Sequence, residues 1–100
     1  MLDKQKQQEI WGLYEELVGY WKEAPPLKGT RDYITDRGVW SPYNDCVKDL
    51  ERLTGSDYSH FLVRPEEGLI SVRVATYRKA LSGLIHRLHS EFFQDEELPI

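Results

Sequence analysis

His60-Phe61-Leu62-Val63-Arg64, then Pro65-Glu66-Glu67-Gly68, then Leu69-Ile70-Ser71-Val72-Arg73-Val74: this stretch decides whether the chain is all helical or mixes helix with strand. Two short β-prone runs flank a four-residue connection of turn composition, which is a hairpin signature. Ile70, Val72 and Val74 alternate with Ser71 and Arg73, so one face is apolar and the other polar. A competing reading starts the last helix at Ser71 as its N-cap and makes the domain all-α. The alternation of β-branched residues favours the hairpin. A two-stranded ribbon is marginal alone, so it has to pack on a helix or pair with another strand.

Helical periods lie on both sides of this stretch. Residues 3 to 23 carry Ile10, Leu13, Tyr14, Leu17 and Trp21 at three- and four-residue steps, and Pro25 and Pro26 stop the helix. The second helix is read from Ser41 as N-cap and Pro42 as first helical residue to Gly55, which follows the last periodic position. Its apolar face is Tyr43, Cys46, Val47, Leu50 and Leu53. The third spans residues 76 to 93, with Thr76 as cap and Tyr77, Leu81, Leu84, Ile85, Leu88 and Phe92 as the buried stripe. The expected fold is therefore α+β: three helices and one β-hairpin, with an all-α arrangement as the alternative.

Between the first two helices, residues 24 to 40 make a long connection. Lys28-Gly29-Thr30-Arg31-Asp32 and Thr35-Asp36-Arg37-Gly38 read as turns, with a short extended piece at Tyr33 to Thr35. Tyr33, Ile34, Val39 and Trp40 are expected to pin it to the core.

One hundred residues suit one domain, since two cores of half that size would be too small to hold themselves together. Residues 94–100, with three acids and a proline, are expected to form a flexible acidic tail. The single Cys46 excludes an internal disulfide and a cysteine-based zinc cage. The polar opening and the lack of a long apolar run give a cytoplasmic expectation, with no membrane contact.

The first helix offers more apolar surface than a thin domain needs. Trp11, Val18 and Tyr20 widen its stripe to about half the circumference. Either the helix is packed on two sides, or the region of Trp11, Tyr14, Val18 and Trp21 is an interface between copies of the chain. Gly12 and Gly19, two turns apart, fit either the approach of another backbone or tolerated weak positions.

Charge is uneven. Residues 68 to 90 hold Arg73, Arg78, Lys79 and Arg87 and no acid, whereas Glu91, Asp95, Glu96 and Glu97 follow at once. The four cations suggest a solvated face, an acidic protein partner, or a nucleic-acid or anionic-ligand contact. A chain of net charge −4 lacks the basic footprint usual for nucleic acid.

Signals for chemistry are weak. His60, His86 and His89 are the candidates for a metal site, but His86 and His89 are three apart with no helical carboxylate between them at ligand spacing. Cys46 lies in an apolar stripe, which suits a buried thiol better than a nucleophile. Of the acid pairs Asp45/Asp49 and Glu15/Glu16 only the first shares a helical face, and it lacks an apolar setting, while no glycine pattern cradles a phosphate. No cofactor is expected. The reading that follows is a non-enzymatic interaction or assembly module forming a homodimer through the first helix, with anion binding through residues 68–90 as the alternative.

Overall fold

Asp3, in extended backbone, accepts a hydrogen bond from the Lys6 amide at 2.7 Å and so caps helix α1 (Lys4–Glu23). The computed structural model describes residues 3–26, 32–65 and 71–100. After α1 come strand β1 (Tyr33–Ile34), helix α2 (Arg37–Thr54), a 3-10 turn (Ser59–Phe61), strand β2 (Val72–Arg73) and helix α3 (Val74–Phe92). Three helices and a two-stranded antiparallel pair thus form one compact α+β domain.

Helix α1 lies across both α2 and α3. Its inner stripe of Ile10, Tyr14 and Leu17 is buried, as are Tyr43, Val47 and Leu50 of α2 and Leu81, Leu84, Ile85 and Leu88 of α3. Each fully buried Leu or Ile contributes roughly 1.5–3 kcal/mol of transfer free energy. Tyr43 and Tyr77 meet edge to face at 5.8 Å and join α2 to α3.

The α2 start differs from the sequence reading. Asp36, not Ser41, is the N-cap, its carboxylate accepting from the Gly38 amide at 2.8 Å. Pro42 therefore sits inside the helix, where its missing N–H leaves the Gly38 carbonyl without its helical donor. The earlier start is favoured because it brings Trp40 into the core at 6% exposure. Gly55 closes the helix at φ 73°, the left-handed conformation that glycine adopts without strain.

The strand pairing differs too. Val72 and Arg73 pair with Ile34 and Tyr33, not with residues 60–64. The Val74 amide donates to the Asp32 carbonyl at 2.9 Å and extends the ladder to the first residue of α3. Helix α3 therefore starts at Val74 rather than at Thr76, and no side chain caps it. The alternation itself holds where it is described: Val72 and Val74 are buried and Arg73 is exposed. Glu66, Glu67 and Gly68 of the expected turn, with Leu69 and Ile70, lie outside the described residues, as do Lys28, Gly29, Thr30 and Arg31.

Side chains of α2 explain why His60–Arg64 does not need a strand partner. The Asn44 amide donates to the Val63 carbonyl at 2.7 Å and accepts from the Val63 amide at 2.9 Å. One side chain thereby supplies both bonds that a neighbouring strand would give. The Tyr43 hydroxyl donates to the Phe61 carbonyl at 2.7 Å. Val63 is buried as a result, and the backbone around it is satisfied without a sheet.

The connection after α1 is pinned by Ile34 and Trp40, both buried, and by Val39, which packs on the core. In residues 94–100, expected as a flexible acidic tail, Leu98 and Ile100 are partly buried while the other five residues are exposed. The Glu96 amide donates to the Phe93 carbonyl at 3.0 Å, the Glu96 carbonyl is 2.7 Å from His89 Nε2, and Leu98 and Ile100 pack on the core.

A Cβ added at Gly12 would meet nothing within 4 Å, so Gly12→Ala removes only the entropy penalty of glycine in a helix. It is expected to stabilise the fold by about 0.5–1 kcal/mol in urea unfolding. Gly55→Ala forces a Cβ into left-handed backbone and is expected to cost about 1–2 kcal/mol in the same measurement.

Candidate functional site

The domain measures 41 × 26 × 18 Å, so its thinnest dimension holds about two layers of helix. With α2 and α3 both on its inner side, α1 keeps an outer side. Two-sided packing therefore accounts for much of the wide apolar arc, but not for all of it. Tyr14, expected at an interface, is 3% exposed and belongs to the core. Trp21 is covered from α3: the Arg78 guanidinium lies 4.4 Å from its ring centroid and donates to the Pro25 carbonyl at 3.3 Å. Trp11 and Val18 are half-buried and stay on the outer side.

Trp11 stands between two cavities. The first, of about 470 Å³, is lined by Lys4, Gln7, Gln8 and Ile10 of α1 and by Phe92, Phe93 and Glu96. The second, of about 350 Å³, is lined by Tyr14, Glu15, Val18, Gly19 and Lys22 with Glu96, Glu97 and Pro99. Trp11 and Glu96 border both, so the two cavities form one groove between α1 and the end of the chain. The groove is aromatic at its centre. Trp11 packs edge-on against Phe93 at 4.9 Å and tilts against Tyr14 at 5.5 Å, and Tyr14 meets Phe93 at 4.8 Å.

Among the described residues, one polar atom in this cluster has no partner. The Tyr14 hydroxyl is buried and unbonded, and burial, followed by the nearby Glu96 carboxylate, raises its pKa. A buried hydroxyl without a hydrogen bond costs about 1–3 kcal/mol. Phe93 and Glu96 shape this groove, a part that the sequence does not announce, since it places one at the end of a helix and the other in a flexible tail. A signal is nevertheless present in Phe92-Phe93, two adjacent aromatics that one helical stripe cannot bury together.

The basic residues of the 68–90 segment do not converge. Arg73 lies 5.6 Å from the Tyr33 ring, Arg78 is engaged by Trp21, and Arg87 lies 5.4 Å from the Tyr58 ring. Arg87 also forms an ion pair with Glu91, whose other oxygen accepts from the Tyr58 hydroxyl at 3.1 Å. Nine residues separate Arg78 from Arg87, which places them on opposite sides of α3. Lys79 is exposed.

The histidines are also apart. His86 Nδ1 is 2.7 Å from the Ser82 carbonyl, His89 is held by the Glu96 carbonyl, and His60 stacks on Phe61 at 4.1 Å. Among the described residues no group of three His, Cys, Asp or Glu side chains could hold a metal ion. No helix is long and apolar enough to cross a membrane among the same residues.

Cys46 is 4% exposed, and its thiol donates to a Glu16 carboxylate oxygen at 3.3 Å. Burial, then the Glu16 carboxylate, pushes its pKa up to about 12. Burial likewise raises Tyr20 and Tyr77 to about 12 and raises Tyr43. This is the chemistry of a neutral structural cluster rather than of a nucleophile.

These groups fold in their neutral forms, so the stability tied to them is complete below pH 9, the ordinary value for a thiol, and declines as pH rises toward about 12. Urea midpoints are expected to be level from pH 7 to 9 and to fall above that. The native thiol is expected to resist a disulfide reagent at pH 8 and to react fully once the chain is unfolded. No family model matches the sequence, and no curated protein and no solved structure gives a significant match to it.

Proposed function

We propose that this chain is a non-enzymatic interaction module that self-associates through the outer side of α1. The groove centred on Trp11 carries this reading. Its lining joins aromatic and aliphatic side chains to amides, carboxylates and the ammonium groups of Lys4 and Lys22, which suits a protein surface with an apolar centre and a polar rim. Half-buried indole rings in pockets are frequent anchors of such contacts.

A nucleic-acid or anionic-ligand contact through Arg73, Arg78, Lys79 and Arg87 draws less support. Three of the four side chains lie over aromatic rings, and two of them are on opposite sides of α3. An acidic protein partner for the same segment meets the same difficulty.

Sedimentation over a micromolar to millimolar range tests the proposal. The chain is expected to associate to a dimer, and Trp11→Ala to weaken that association by about 30-fold or more, the effect of losing an interface anchor of about 2 kcal/mol. Val18→Ser, which leaves the contacts of Trp11 with Phe93 intact, is expected to weaken it in the same direction. A wild-type chain that remains monomeric throughout overturns the reading.

A further inference from the structure

Lys4, Gln8, Trp11 and Glu15 follow one another at steps of four, three and four along α1. At 100° per residue they fall within an arc of about 60°, which is the spacing of a helix–helix seam. All four line the Trp11 groove. The ends of this seam are opposite in charge. Lys4 borders the first cavity, while Glu15 borders the second together with Glu96 and Glu97. Among the described residues, neither Lys4 nor Glu15 is in an ion pair within the chain.

We infer that two copies of α1 pack antiparallel along this seam, with Lys4 of each copy against Glu15 of the other and Trp11 close to the two-fold axis. This rests on the self-association proposed above and names its register. A two-fold interface must be complementary to itself. Lys4 and Glu15 are about 16 Å apart along the helix, so one antiparallel superposition satisfies both pairs at once. Trp11 of one copy then faces Gln8 of the other on either side of the axis, and Lys4 of each copy enters the cavity that Glu96 also borders.

Other registers lack this match. The register one residue short of full overlap, which brings the same face of both helices together, sets Lys4 against Lys22 at both ends, a repulsion of like charges. A register pairing Glu15 with Lys22 moves the axis to Val18 and Gly19 and leaves Trp11 outside the contact. Exposed ion pairs add little affinity. Their part here is to select one register, while burial of Trp11 supplies most of the binding.

Charge reversal tests the register, with helix content checked by circular dichroism. At low salt, Lys4→Glu and Glu15→Lys are each expected to weaken dimerisation about fivefold, and the double variant to restore it to within about twofold. Lys48→Glu, on the exposed side of α2 and away from the groove, is expected to leave it unchanged. A zero-length amine–carboxylate cross-linker applied to a mixture of labelled and unlabelled wild-type chain is expected to join Lys4 of one copy to Glu15 or Glu96 of the other. If single reversals have no effect, or the double variant is not rescued, or the cross-links join Lys22 to Glu15, the register is overturned while a Trp11-dependent dimer still stands. A chain that is monomeric at every concentration overturns the register and the proposed function together.

Discussion

The inner stripe of α1 has to be covered by two helices that come from distant parts of the chain. Ile10, Tyr14 and Leu17 leave water only when α2 and α3 are both in place, and the loops between the helices must bend to permit it. Those loops are long, and a two-residue ladder between β1 and β2 is too small to satisfy their backbone. Side chains from the helices do so instead. Asn44 answers both polar groups of Val63, Tyr43 takes the carbonyl of Phe61, and Arg78 takes that of Pro25. The fold is a helical core whose connections are tied down by polar side chains reaching out of it.

Aromatic rings do much of the remaining electrostatic work. Among the described residues four arginines lie over rings, with Arg37 over Trp40 in addition to the three near Tyr33, Trp21 and Tyr58. Such contacts contribute roughly 0.5–1 kcal/mol each at exposed sites. Their larger effect is on the surface. Rings distribute Arg73, Arg78 and Arg87 over separate parts of the surface, so the local excess of basic residues in the sequence does not gather on one face.

Periodicity makes the helices legible, because apolar residues recurring every 3.6 positions line one side of a helix and no side of a strand. Tyr43, Val47 and Leu50, and likewise Leu81, Leu84 and Leu88, are all buried as their spacing requires. The start of α2 is less legible: Ser41-Pro42 is a strong local start signal, but burial of Trp40 outweighs it. Residues 60–64 read as a strand because their composition is right for one. What replaces the strand partner is a single asparagine, nineteen residues before Val63, and no local pattern announces it. In the candidate site, Trp11 and Val18 can be picked out from the excess arc of α1. Tyr14 and Trp21 cannot be separated from them without knowing where Phe93 and Arg78 come to rest.

Pro42 divides α2 into unequal parts. With no donor for the Gly38 carbonyl, the turn from Asp36 to Ser41 is joined to the rest of the helix by one hydrogen bond fewer than regular geometry provides. The same turn follows closely on β1, which pairs with β2 and whose Ile34 is buried in the core. The missing bond lies between this turn and the rest of α2, so amide protons from Arg37 to Ser41 are expected to exchange with solvent ahead of those deeper in the helix. Burial of Ile34 and Trp40 is what holds that weakened turn to the three-helix body.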